Sequence, residues 1–485
     1  MNLKKIILHT ILAVSFYSIS TAQPPNTQLY YGLLHAHTLF SDGSGTPAEA
    51  YQAAKAAGLN FFAITEHNHA LAENGAAERR DGILIANNHP LYNGHGTITI
   101  TPNVNGSPHT INVKSVKEAA EDATTINFLA MYGQEFSTIS SGNHVNVLNA
   151  PDVLTFPNGD FKQLYDWIQS TNDNNIIIQM NHPDVHSDLF GANANKNDYG
   201  IDESQLGNGF SEFVRNNDKY LQLIEVLSGP AMNDFASPGF HYESLEDDYY
   251  FYLVQGFHIS PSAGQDNHFK TWGVASSARI GVYATALTNQ AICEAFRSNC
   301  TFATEDKNLS IVFSINGSAM GSNISANSDQ PLNMEIKIDD TDDASANYTI
   351  EIYGGAIDPK NYSQVTEVKA RDGKTGDIHL SGNGTSTFTT VCSGDPEFYY
   401  IKVIEADGDR AWSAPVWINA PESGSGPGPV ASTTFFWTKN PSSQVYHAEG
   451  CSSINTISPA NLMSGTTPPS GRHQHACNVP VGDGH

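Results

Sequence analysis

The sequence predicts an α/β domain built on a mostly parallel sheet or barrel, then an all-β module, then a small tail. Three observations carry this. Up to about Asp306, short apolar runs alternate with helix-like segments, the pattern of strands layered with helices. After Asn308 the texture changes to alternating strands separated by Gly, Asn and Asp turns, which suits a sandwich-like module ending near Ile418. Residues 419–433 are a Pro/Gly/Ser linker, and residues 434–485 follow it.

Residues 1–22 read as a signal peptide. Lys4 and Lys5 precede an apolar run from Ile6 to Tyr17, with the small residues Ser20 and Ala22 behind it, so cleavage is expected after Ala22. The run falls short of the roughly 20 apolar residues a bilayer core requires. The expected destination is therefore secreted or periplasmic, with no stable membrane span after cleavage. Residues 23–307 form the first domain. Its clearest strands are Leu59 to Thr65, Phe128 to Tyr132, Ile176 to Met180 and Leu221 to Leu227, and a helix is expected over Pro47 to Ala57, with Pro at an early position. In the β module, residues 308–418, the strands are clearest at Tyr348 to Tyr353 and Phe398 to Val403.

With 50 acidic residues against 24 basic ones, the formal charge is -26 over 485 residues. Such a chain repels a phosphate backbone, so no nucleic-acid partner is expected; a small-molecule substrate is. Cys293 and Cys300 are near enough in sequence to bridge, Cys451 and Cys477 could pair in the tail, and Cys392 is left over. The tail also holds His447, His473 and His475, so a structural zinc and a Cys451–Cys477 disulfide both fit it.

The chemistry is written at the ends of the strand-like runs. His35-Ala36-His37 follows Tyr30 to Leu34, and period-two alternation puts both imidazoles on one side. Asp42 lies just beyond in Ser41-Asp42-Gly43. Glu66-His67-Asn68-His69 follows a second run, Glu135 a third, and Asn181-His182-Pro183 a fourth. His144 lies in Gly142-Asn143-His144-Val145, and Gly264-Gln265-Asp266-Asn267-His268 closes the domain. Functional residues of barrels and open α/β sheets collect at the carboxyl ends of strands, and imidazoles with carboxylates are ligands for divalent metals.

Together, His35-Ala36-His37-Thr38, Ser41-Asp42-Gly43, Thr65-Glu66-His67-Asn68, Glu135, Asn181-His182-Pro183 and Gly264 to His268 resemble the ordered motifs of the polymerase and histidinol phosphatase (PHP) superfamily. Ala303-Thr304-Glu305-Asp306 and Asp407 to Ser413 resemble an exported branch related to carbaryl-type carbamate hydrolases. The resemblance implies a distorted (β/α)7 barrel with two or three divalent metal ions: Zn, Mn or Fe. It makes His35, His37 and Asp266 ligands of one ion, with Glu135 bridging to a second. Asp42, His67 and His268 complete the cluster, and His182 with His144 serves another ion. The usual motif has Asp where Glu66 stands, so Glu66 is left outside the ligand set, with a role in orienting His67.

Two cations held together lower the pKa of a bridging water and generate hydroxide near neutral pH. The expected activity is hydrolysis of a phosphate ester or of a carbamate, ester or amide, with His182, His268 and Asp266 as candidates for proton transfer and catalysis. No Gly-x-Ser-x-Gly elbow supports a serine hydrolase. The competing reading is a surface binding protein that uses its β module, with the barrel as an inactive scaffold.

Other residues admit plainer readings. His89, His95 and His109 lie in a polar insertion between Arg80 and Val113 and read as loop residues of a segment that could form a lid. Glu225 is either catalytic or a polar residue closing a strand; Arg279 either meets an anionic substrate or pairs with a surface carboxylate. Trp412 and Trp417 read as core of the β module. Few residues apart from Lys270 and Arg279 supply positive charge near the motifs, which favours a neutral substrate.

Overall fold

The computed structural model describes residues 23–24, 26–67, 96–100, 109–136, 144–151, 154, 161–183, 218–237, 239–358, 369–421, 435–440, 443, 445–446, 457–458, 461–465 and 473–474. The signal segment, His69, His89, His95, His447, Cys451, His475 and Cys477 lie outside them. The chain forms two compact units, residues 1–425 and 426–485.

The first unit is mixed α/β. Its first half runs β1 (Gln28–Leu33), α1 (Pro47–Ala56), β2 (Phe61–His67), β3 (Gly96–Ile100), β4 (His109–Val113), α2 (Val116–Ala123), β5 (Leu129–Phe136) and β6 (His144–Leu148). It continues with α3 (Phe161–Thr171), β7 (Ile177–Asn181), β8 (Leu221–Ser228), α4 (Glu246–Val254), β9 (Ser260–Gly264), β10 (Arg279–Ala284), α5 (Asn289–Arg297) and β11 (Thr301–Thr304). Helix α1 starts where the sequence says it should: Thr46 and Glu49 close a capping box and Pro47 occupies the first turn, contributions of about 1 kcal/mol for such a cap. Its buried face, Ala50, Tyr51 and Ala54, packs on Phe62 and Ile64 of β2, and the Tyr51 hydroxyl donates to the Met131 carbonyl at 2.7 Å.

Seven strands follow one another as β1-β2-β5-β6-β7-β8-β9. All these pairings are parallel except those of β6, which runs antiparallel to both β5 and β7. The chain beyond β9 returns to the chain beyond β1 through a parallel bridge between Ala36 and Asn267, with His37 N–H donating to the Asn267 carbonyl at 2.9 Å. The carboxyl ends of the first and last strands therefore meet. Strands β2, β5, β7 and β8 are buried on both faces over nearly all their length, which is why they read as largely apolar runs.

The second half adds β12 (Ser310–Ile315), β13 (Ser318–Ala319), β14 (Asn323–Ile324), β15 (Pro331–Asp339), β16 (Asn347–Ala356), β17 (Lys374–Ser381), β18 (Gly384–Val391), β19 (Glu397–Glu405), β20 (Arg410–Ser413) and β21 (Val416–Ile418). Strands β13-β12-β15-β18 form one layer. The other layer is continuous with the first half, because β20 pairs antiparallel with β11 through Phe302↔Ser413 and Ala303↔Trp412. Ile311, Phe313, Met334 and Ile336 of one layer share a core with Ile350, Ile401 and Val403 of the other. Trp412 and Trp417 are buried at the seam with the first half, in a cluster with Tyr249 and Tyr400. The cysteine bridge allowed by spacing is not formed: Cys293 and Cys300 are free thiols, and Cys293 is a small buried hydrophobe of α5.

In the second unit β22 (Phe435–Thr438) pairs antiparallel with β24 (Leu462–Gly465), and β23 (Val445–Tyr446) pairs parallel with β25 (His473–Gln474).

Because Trp412 is fully buried where β11, β19 and β20 join, Trp412→Ala is expected to cost about 3–5 kcal/mol. Chemical denaturation should show the lowered midpoint in a single transition; an unchanged midpoint would contradict the packing role assigned to it.

Candidate metal centre

Strand ends deliver the cluster. His35 and His37 leave β1, Glu66 and His67 end β2, Glu135 ends β5, Asn181 and His182 end β7, and Asp266 and His268 follow β9. His144 is the first residue of β6, but that strand runs backwards, so its start lies opposite Asn181. Two of these residues turn inward on left-handed backbone: His182 at φ 27° and Asp266 at φ 45°, conformations that cost a non-glycine residue free energy and collect at functional sites.

All nine residues proposed from the sequence lie together. His35 Nε2 is 3.1 Å from both Glu135 Oε1 and Asp266 Oδ1, and His37 Nε2 is 3.2 Å from Glu135 Oε2 and from Asp266 Oδ1. His67 Nδ1 lies 2.9 Å from Glu135 Oε2 and His144 Nδ1 3.0 Å from Glu135 Oε1. His268 Nε2 is 3.1 Å from Asp42 Oδ1, and His182 Nε2 is 3.4 Å from Glu135 Oε1. Three groups of donor atoms could each hold an ion: His37, Asp42, His67 and His268; His35, His37, Glu135 and Asp266; and His67, Glu135 and His144. His37, His67 and Glu135 are shared between groups.

The outer ring fixes which nitrogen faces inward. His35 Nδ1 lies 2.9 Å from Glu225 Oε1, which accepts its proton and leaves the Nε2 lone pair toward Glu135 and Asp266. Ser41 donates its hydroxyl proton to Glu66, so its oxygen, 3.2 Å from His37 Nδ1, is left to accept from that nitrogen. His268 Nδ1 donates to the Asp266 carbonyl at 2.7 Å. Three imidazoles are thus held in the tautomer that presents Nε2 to the carboxylates.

Among the described residues, His37 Nε2, Glu135 Oε2, Asp42 Oδ1 and His268 Nε2 are buried and make no hydrogen bond, although acceptor atoms lie 3.1–3.2 Å away. With the imidazoles neutral, lone pair would face lone pair. Two donors bound to one ion at about 2.0–2.2 Å are separated by about 3–3.5 Å, so the donor set fits divalent ions. In the metal-free chain protons take their place. Burial opposes charge on every member, yet Asp266 and Glu135 hold His35 well above its usual range, and Asp42 and Glu135 do the same for His67. In return, against burial, His35, His144 and His67 hold Glu135 well below the usual carboxylate range.

Glu66 needs a correction. It does not orient His67: successive residues of β2 point to opposite sides, and its carboxylate accepts from Thr38 N at 3.0 Å and from the Thr38 and Ser41 hydroxyls. It clamps the turn after β1 and so steadies His37. Glu225, left open by the sequence, is a positioning residue: fully buried, it holds His35 and accepts from His182 N at 2.9 Å. Its signal was a single carboxylate in an apolar strand. Asn181 also reaches in, donating to Glu135 Oε1 at 2.9 Å. Arg279 is buried and donates to the carbonyls of Ser277 and Lys307, with no ion pair to a surface carboxylate among the described residues. Lys270 pairs with Glu49 at the surface.

No protein-family model and no curated protein matches this chain. Among solved structures it is similar to a two-domain protein from Bacteroides vulgatus containing a predicted PHP-like metal-dependent phosphoesterase, at 15% identity over 79% of this chain and 93% of that chain, with a TM-score of 0.38. It is also similar to an amidohydrolase from Chromobacterium violaceum, at 14% identity over 50% of this chain and 89% of that one, with a TM-score of 0.26. Likeness at this level says nothing of activity, and the chemistry rests on the side chains themselves.

A Cβ at Gly264 would stand 1.8 Å from Glu225 Oε1 and 3.3 Å from the His35 Cβ. Gly264→Ala and Glu225→Gln are therefore expected to weaken divalent-ion binding by about 10–100-fold, measured by titration against a chromophoric chelator; wild-type affinity in both would remove Glu225 from its positioning role.

Proposed function

We propose that this chain is an exported PHP-type hydrolase holding two or three divalent ions, Zn, Mn or Fe, at the nine-residue centre, on a distorted seven-stranded barrel with a sandwich-like module beside it. One observation carries the reading: three histidines whose Nδ1 atoms have outer acceptors converge through Nε2 on Glu135, Asp266 and Asp42. Divalent ions held there would supply Lewis acidity and lower the pKa of a water molecule towards neutrality.

The chain's own residues do the rest. Glu135 and Asp266 provide the negative charge that gathers cations, and burial of His35, His37 and Glu135 excludes bulk water. His268 has both nitrogens committed, to the Asp266 carbonyl and towards Asp42, which suits a ligand. His182 is the better proton carrier. Its Nδ1 is buried without a hydrogen bond among the described residues and it belongs to none of the three donor groups that could hold an ion, so its imidazole can carry a proton for a leaving group. Neither Lys270 nor Arg279 is directed at the centre, which favours a neutral carbamate, ester or amide over a phosphate ester. Export rests on the basic, then apolar, then small-residue order of residues 1–22. The inactive-scaffold alternative predicts eroded ligands, and here eight of the nine fall into groups that could hold an ion.

Reconstituted protein is expected to bind two or more ions per chain and to hydrolyse 1-naphthyl N-methylcarbamate or p-nitrophenyl acetate faster than p-nitrophenyl phosphate. His35→Ala with Asp266→Ala should leave roughly 1% or less of that activity. Absence of bound metal after reconstitution, or full activity in the double variant, would sink the proposal.

Since His35 and His67 hold protons above their usual range in the metal-free chain, an ion must displace them. Apparent metal affinity should therefore weaken as the pH is lowered and strengthen as it is raised, by about tenfold per pH unit for each proton displaced. Titrations between pH 6 and pH 8, or roughly that interval, check this; pH-independent binding would contradict it.

A further inference from the structure

A second group of donors lies apart from this centre; two of its three members sit in segments that the sequence singled out but the proposed reaction leaves unused. His241 precedes α4, Glu305 follows β11, and Asp409 closes the turn between β19 and β20. Their donor atoms all lie within 4.8 Å of one another. His241 Nδ1 is 3.5 Å from Asp409 Oδ1 and 3.7 Å from Glu305 Oε1. Both distances exceed the 2.7–3.2 Å or so of an N–H to oxygen hydrogen bond, yet they are close to the separation of about 3.3 Å between two ligands of one tetrahedral ion.

The donors are held in place from behind. Arg410 grips Glu305 through Nε at 2.7 Å and Nη2 at 3.0 Å, and the same guanidinium donates to the Tyr242 carbonyl at 2.6 Å, fixing the segment that carries His241. Gly408, at φ 105°, lets the backbone approach the imidazole: a Cβ there would stand 2.9 Å from His241 Nε2. The group opens on a cavity of about 340 Å³ whose walls include Ser228, Gly229, Ser276 and Asp407. One cation, Arg410, stands against three carboxylates, and burial with the charges of Asp407 and Glu305 pushes Asp409 up to about 6.

We propose that His241, Glu305 and Asp409 form a further divalent-cation site, of the one-imidazole, two-carboxylate type that suits Zn or Mn, with its open positions facing the cavity. The site stands whether or not the main centre is catalytic.

The test compares full-length wild type with His241→Ala and Asp409→Asn, each stripped, reconstituted with ZnCl2 or MnCl2 alone, dialysed and analysed for metal per chain. Each variant is expected to hold one equivalent fewer, with the thermal melt of the metal-free protein unchanged because His241 is 30% exposed. The His35→Ala, Asp266→Ala chain should keep an equivalent that adding His241→Ala removes, and zinc-edge anomalous scattering should place an ion beside His241 Nδ1. Equal stoichiometry in wild type and His241→Ala would overturn the site even if the double variant failed to fold.

Discussion

Glu135 is a carboxylate with no exposure to water, and a charge buried in that way demands compensation of several kcal/mol or more. Much of the centre can be understood as that compensation. Four imidazoles, His35, His37, His67 and His144, lie within 3.2 Å of its two oxygens, and Asn181 donates to one of them. Without metal these groups neutralise one another by sharing protons. An ion in their midst would do so more completely, since it accepts a lone pair from each donor at once.

Such a cluster needs rigid support, and the sheet provides it. Glu135 and His67 end adjacent parallel strands in register, and the bridge between Ala36 and Asn267 brings the two histidines beyond β1 against Asp266 beyond β9. Glu225 ties His35 to β8 and to the backbone of His182 beyond β7. One buried carboxylate therefore joins three strand ends, and Gly264 is needed beside it because a side chain there would occupy the space of its oxygen.

Much of this was legible. Buried strands of parallel type appear as apolar runs, so Ile176 to Met180 and Leu221 to Leu227 stood out for the strands Ile177–Asn181 and Leu221–Ser228, and ligand-type residues just after such runs marked the site. Glu66, left outside the ligand set, was given the role of orienting His67, and the reason against that role is also present in the sequence: strand alternation sends neighbours 66 and 67 to opposite sides. His144 was harder, because only the reversed direction of β6 brings the start of that strand to the face where the others end.

What the sequence determined by itself was local: the capping box of α1, the runs that become strands, the change to β texture after Asn308, and the chemical types of the ligands. These follow from side-chain volume, polarity and spacing within a few residues. Tertiary structure decided which atoms meet. The pairing of β11 with β20 joins residues more than a hundred positions apart, the tautomers of His35 and His37 depend on Glu225 and Ser41, and the His241, Glu305 and Asp409 group is assembled from three distant segments. Hydrogen bonds and ion contacts act over a few ångströms of space, and only the folded chain sets those distances.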